Sequence, residues 1–144
     1  LSYNNINLNT KLKYFTNKDL LTALKTTKIT NLDFEDFLEK YPPQKDDFLF
    51  IDPPYDSEFS KYDNLSFDAA EQRRLADYLI NRVNANWMIV IKDTELVREL
   101  YVDGKSTYNG QQIYINNFQK KYNVNFRNRN KQRTQHLLIT NYLI

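Results

Sequence analysis

The sequence contains no cysteine, one histidine (His136) and two glycines, Gly104 and Gly110. Without cysteine there is no disulfide, no thiolate nucleophile and no zinc–thiolate centre, and the chain suits a reducing compartment. A single histidine excludes a multi-histidine metal site, and no metal is expected. The glycine shortage says most. A loop that lets the backbone approach a nucleotide-like ligand needs clustered glycines behind an early strand. Both glycines stand late, so no such loop can be written within the 144 residues. No apolar run approaches the roughly 20 residues that span a bilayer, so no membrane partner is expected. The opening Leu1-Ser2-Tyr3-Asn4-Asn5 lacks an initiator methionine and does not read as a signal peptide. The expectation is a processed or truncated start and a cytoplasmic location.

What is present supports a folded domain. Hydrophobic residues make up 41% and aromatics 15% of the chain, enough for a core. A chain of this size buries roughly 70% of its unfolded surface. The formal net charge of +2 permits a nucleic-acid partner without arguing for one.

Residues 1–16 are polar and rich in asparagine, and read as loop or hairpin. Asn17 is a cap for a helix running to Lys28, with Leu20, Leu21 and Leu24 on one face. Ile29–Leu32 is a short strand candidate. Asp33 is a cap for a second helix carrying Phe34, Phe37 and Leu38, stopped by Pro42-Pro43. Phe48-Leu49-Phe50-Ile51 is a continuous apolar run that suits a strand buried on both faces. Asp68 with Glu71 opens a helix over 67–83, followed by the strand run Trp87–Ile91 and a short helix from Thr94 to Tyr101. Both glycines fall in a loop at 102–111. Val124–Arg127 and His136–Asn141 are expected to pair as a terminal antiparallel hairpin. The order implies an α/β fold with a mostly parallel sheet.

Ligands of open α/β sheets sit beyond the carboxyl ends of strands, where Asp52-Pro53-Pro54-Tyr55 stands. Two prolines stiffen the turn and hold the Asp52 carboxylate, the Pro53 carbonyl and the Tyr55 ring as two acceptors and one aromatic face. That set suits an exocyclic amine on a planar base. Its lone pair is delocalised into the ring, and two acceptors favour tetrahedral geometry and stabilise the charge that develops during alkyl transfer. An aromatic ring stacks on a base taken out of the duplex. Asp-Pro-Pro is also an ordinary turn sequence, with Tyr55 a packing residue.

The segment Phe48–Tyr55 resembles the catalytic motif of the Dam-like (D12 class) DNA adenine-N6 methyltransferases. The resemblance extends over most of the chain. Asn31-Leu32-Asp33-Phe34 is similar to the family's strand-end Asp-Phe pair, and Trp87–Ile91 with Lys92-Asp93-Thr94 to its next strand and loop. Asn125–Asn130 and Thr134–Tyr142 resemble the terminal hairpin, although the usual acidic residue near Gln135 is missing. The resemblance implies a Rossmann-like methyltransferase sheet, incomplete at its amino-terminal side. It implies residues 1–16 as the end of a target-recognition region and 17–144 as the catalytic-motif part of the methyltransferase domain. It implies S-adenosylmethionine as cofactor, approached by Asp33, Phe34 and Asp52, and double-stranded DNA as substrate. Asp52, Pro53, Pro54 and Tyr55 would carry the catalytic roles. A further partner it implies is the missing amino-terminal half of the same enzyme.

Lys11 and Lys13 at one end, and Arg127, Arg129 and Lys131 near the other, are candidates for phosphate contact; they read equally as solvated charge. His136 opens an apolar strand and reads as structural. Two rival functions remain open. One is methylation of another planar amine: cytosine N4, an RNA base or a protein glutamine. The other is a catalytically silent DNA-binding remnant or subunit.

Overall fold

A computed structural model describes residues 12–54, 67–120 and 134–144. The chain divides into two compact units, Leu1–Asp33 and Phe34–Ile144.

In the first unit, 12–15 form a helical turn, α1, and Lys18–Thr26 form α2. The Asn17 side chain caps α2, accepting from the backbone N–H groups of Asp19 and Leu20 at 2.8 and 3.2 Å. Leu20, Leu21 and Leu24 do share helical spacing, but α2 buries no residue. The expected strand at Ile29–Leu32 does not form. Residues 27–33 are irregular, and Ile29 is 78% exposed. A strand needs a neighbouring ladder, and this stretch has none among the described residues.

The second unit runs α3 (Phe34–Lys40), β1 (Phe48–Ile51), α4 (Ala69–Asn81), β2 (Asn86–Lys92), α5 (Glu95–Leu100), β3 (Tyr114–Lys120) and β4 (Thr134–Thr140). The four strands make one sheet in the order β1-β2-β4-β3. β1 and β2 are parallel, with Phe48 opposite Asn86 and Ile51 opposite Ile89. The other two pairings are antiparallel. The sheet is therefore mixed, not mostly parallel, because β4 inserts between β2 and β3 and runs against both. The terminal antiparallel hairpin forms, but its first strand is Tyr114–Lys120 in place of Val124–Arg127; Phe118 faces His136. Val124–Arg127 lie outside the described residues.

The core is built where α4 meets the sheet. Leu75, Ala76, Leu79 and Val83 recur at helical spacing and are buried with Trp87, Ile89 and Ile91 of β2 and Leu137 and Ile139 of β4. Burying a leucine such as Leu79 fully is worth about 1.5–3 kcal/mol. Asp68 caps α4 by accepting from Ala70 and Glu71, and Thr94 caps α5 by accepting from Val97. Both caps stand where the sequence pattern puts them. β1 departs from expectation. Leu49 and Ile51 pack against the core, but Phe48 and Phe50 are 53% and 62% exposed. The strand is covered on one face only, and β2 is its single partner among the described strands. No helix among the described residues is long and apolar enough to cross a membrane.

Candidate active site

Because β1 and β2 are parallel, their carboxyl ends lie at the same side of the sheet. There the chain leaves β1 through Asp52, Pro53 and Pro54, and leaves β2 through Asp93 and Thr94. The prolines end the β1 ladder, since neither has an N–H to donate. Asp52 is exposed, Pro53 buried and Pro54 exposed. The buried proline anchors the turn while the carboxylate before it stays open to solvent. Tyr55 lies outside the described residues.

α4 holds this turn. The Gln72 side chain is fully buried, and its Nε2 donates to the Pro54 carbonyl at 2.9 Å. The sequence pattern did not single out Gln72. The signal was available, since Gln72 lies three residues before Leu75 and four before Ala76, a polar residue in line with an apolar stripe.

α4 also fixes Phe34, the first residue of α3. The Arg74 guanidinium lies 4.3 Å from the Phe34 ring centroid, and the rings of Phe67 and Tyr78 meet that ring edge-on at 6.2 and 6.5 Å. Arg74 also donates to Glu35 at 2.9 Å and pairs with Glu71, while Arg82 reaches the other Glu35 oxygen at 3.0 Å. Phe34 is thus half-buried and held by three side chains of the α4 region. Asp33, its neighbour, is exposed and ends the first unit.

At the end of β2, Asp93 accepts from Arg98 through both oxygens, at 2.6 and 2.8 Å, and Arg98 also donates to Asn117. This ties the β2 loop to α5 and β3. The pairing raises the Arg98 pKa, chiefly through the hydrogen bond to Asp93. Lys13 is exposed on α1; Lys11, Arg127, Arg129 and Lys131 lie outside the described residues. His136 is buried on β4 against Phe118, as a structural residue would be. No group of three or more metal-ligating side chains occurs among the described residues.

The two glycines serve turns. Both have positive φ, 77° at Gly104 and 79° at Gly110, in the loop between α5 and β3. Gly104 donates to the Ile113 carbonyl at 2.7 Å and Gly110 to that of Thr107 at 2.9 Å. Neither lies in the turn after β1.

The sequence has counterparts among known proteins. A family model of D12 class N6 adenine-specific DNA methyltransferases matches residues 3–116. The chain is also 35% identical over 130 residues to the type II methyltransferase M.CviBI of Paramecium bursaria Chlorella virus NC1A. The match covers 88% of this chain and 45% of that relative, so the chain spans less than half the relative's length.

Proposed function

The chain belongs to the D12 class of N6 adenine-specific DNA methyltransferases, and from that premise we propose that it is the catalytic-motif part of an enzyme that methylates adenine N6 in double-stranded DNA. The observation that carries this reading is the Asp52-Pro53-Pro54 turn. It stands at the carboxyl end of a parallel strand, with its carboxylate open to solvent and its far end held by α4.

Asp52 accepts from one N–H of the target amine and the Pro53 carbonyl from the other. Together they draw the nitrogen toward tetrahedral geometry and stabilise the charge it gains. Tyr55 stacks on the extruded adenine. The methylated nitrogen then gives up its proton to Asp52 or to water, so no separate deprotonated base is needed. The cofactor is S-adenosylmethionine, which supplies an electrophilic methyl group. The exposed Asp52 carboxylate suits the ammonium or hydroxyl donors of such a molecule and Phe34 offers an apolar edge, while Asp33 is proposed as a cofactor contact on the family resemblance alone. These residues fit part of the cofactor; the glycines that would let a backbone approach it are committed to the α5–β3 loop. Lys11, Lys13, Arg127, Arg129 and Lys131 contact DNA phosphates and set position, not sequence. The cofactor site is completed by further polypeptide, a partner for which the exposed Phe48 and Phe50 on β1 leave room.

The test is transfer of a labelled methyl group to duplex DNA, with the product nucleoside identified by mass spectrometry. N6-methyladenine is expected. Asp52→Ala should lower the rate by about a hundredfold or more, the scale set by loss of one transition-state contact. Methylcytosine as product, or a rate unchanged by Asp52→Ala, would sink the reading. The shortage of glycine favours a second reading, a DNA-binding subunit without its own cofactor site. Calorimetric titration of S-adenosylmethionine separates the two. Binding by the 144-residue chain excludes the second reading. Binding only after a complementing polypeptide is added supports a shared site.

A further inference from the structure

We infer that Gln72 is a positioning residue that sets the geometry of the Asp52-Pro53-Pro54 turn by holding the Pro54 carbonyl through its side-chain amide. The inference rests on the turn being the catalytic one, and adds a residue outside the motif to its machinery.

The turn has few soft torsions. Each proline ring locks its own φ, and each peptide bond is planar. What remains free at the downstream end is ψ of Pro54, which sets the direction of its carbonyl and of the chain beyond it. The upstream end is fixed because Ile51 is registered against Ile89 in the β1–β2 ladder. The downstream end is fixed by the bond from Gln72 Nε2 to the Pro54 oxygen, 2.9 Å long and 18 residues distant in sequence. With both ends held, the Asp52 carboxylate and the Pro53 carbonyl between them keep one relation to each other.

The anchor is itself rigid. Gln72 is fully buried, one turn into α4, and its own N–H donates to the Asp68 carbonyl at 2.9 Å. It heads the stripe Leu75, Ala76, Leu79 and Val83 that packs on the sheet. A buried amide is costly to place there unless its donors and acceptor are used. Nε2 has the Pro54 carbonyl. Oε1 is buried with no hydrogen-bonding partner among the described residues, which leaves an acceptor in the shelter of the turn. An apolar residue at 72 would extend the stripe and leave the turn's last carbonyl without this donor.

The experiment reads geometry and turnover separately. In the unsubstituted chain, labelled with carbon-13 and nitrogen-15, a scalar coupling across the hydrogen bond from Gln72 Nε2 to the Pro54 carbonyl carbon is expected; a spectrum that lacks it overturns the inference. Gln72→Leu removes the donor at similar volume, and Gln72→Glu keeps the shape but replaces the amide nitrogen with oxygen. In whichever variant folds, carbonyl shifts should move at Asp52, Pro53 and Pro54 and stay put at Leu79, Ile89 and Ile139. Shifts spread evenly through the core would mean a purely structural role. In the methyl-transfer assay, including complementing polypeptide if turnover needs it, kcat should fall at least tenfold with KM for S-adenosylmethionine unchanged. An unaltered kcat, or a loss confined to KM, overturns the positioning role. Asp52→Ala run alongside keeps the two readings apart. If the unsubstituted protein shows no transfer, the methyltransferase reading fails while the coupling and shifts still decide what Gln72 does.

Discussion

Tyr101, the residue that follows α5, is almost wholly removed from water, and its ring packs 6.2 Å from Trp87. Its hydroxyl has no hydrogen-bonding partner among the described residues. Burial raises its pKa above the ordinary value of 10.0, since the phenolate would be stranded in an apolar setting. The folded chain therefore holds this proton more tightly than the unfolded one. Stability is unaffected below the unfolded value and falls as pH climbs past about 10, by up to about 1.4 kcal/mol per pH unit. Tyr101→Phe should remove that increment of alkaline sensitivity. At pH 8 it should leave stability unchanged or raise it by about 1 kcal/mol, because an unsatisfied buried hydroxyl is gone. Urea unfolding of both proteins between pH 8 and 11 checks this; parallel declines would show that Tyr101 does not carry the effect.

Asn141 does for the elements what Gln72 does for one turn. Fully buried just past β4, its Oδ1 accepts from the Trp87 N–H at 2.7 Å. Its Nδ2 donates to the Ala85 carbonyl at 2.8 Å and to Gln111 Oε1 at 2.7 Å. Gln111 in turn donates to Asn86 and accepts from Asn109. One amide thus joins the start of β2, the end of β4 and the loop before β3. Asn141→Leu would leave the Trp87 N–H and the Ala85 carbonyl buried and unpaired, at a cost of about 3 kcal/mol. A denaturant midpoint shift well under 1 kcal/mol equivalent would show that the network is dispensable. The elements also show what a single sequence makes legible. α4, α5 and β2 were readable because their signals are local: a cap, a periodicity, an apolar run. The Asp-Pro-Pro turn was readable for the same reason. β3 was not, since Asn116 and Asn117 interrupt any alternation and only pairing with β4 makes Tyr114–Lys120 a strand. Ile29–Leu32 erred the other way, with strand-like residues and no ladder to join. Gln72 was hidden because a helical stripe reports which positions are buried, not which backbone group lies opposite them.

At the scale of the whole molecule, β1 is the margin of the described sheet that carries exposed apolar rings. It carries Phe48 and Phe50 outward, with the Tyr142 ring set edge-on against Phe48 at 6.1 Å. An edge strand with apolar side chains and a ladder side that no described strand pairs invites another polypeptide. The isolated chain is therefore expected to self-associate as its concentration rises, and Phe50→Lys should suppress this while leaving the melting temperature within a few degrees. Sedimentation velocity across a hundredfold concentration range measures it. A chain that stays monomeric throughout would mean that β1 is shielded in solution.

The strand order β1-β2-β4-β3 has a consequence for how the molecule comes into being. β4 is the last of the four described strands to be made, yet it is the one that stands between β2 and β3. As the chain leaves the ribosome, β1 and β2 can meet early, but among the described strands β3 finds its partner only when residues 134–140 arrive. The bonds that lock the sheet, from Asn141 back to Ala85 and Trp87, span more than 50 residues and can form only after β4 is made. The sheet closes like a drawer pushed in from the far end. Among the described strands, a nascent chain halted before residue 134 leaves the inner side of β2 open and β3 without a ladder, in addition to the β1 edge, and that added exposure to proteases and to other nascent chains ends only when β4 slides home.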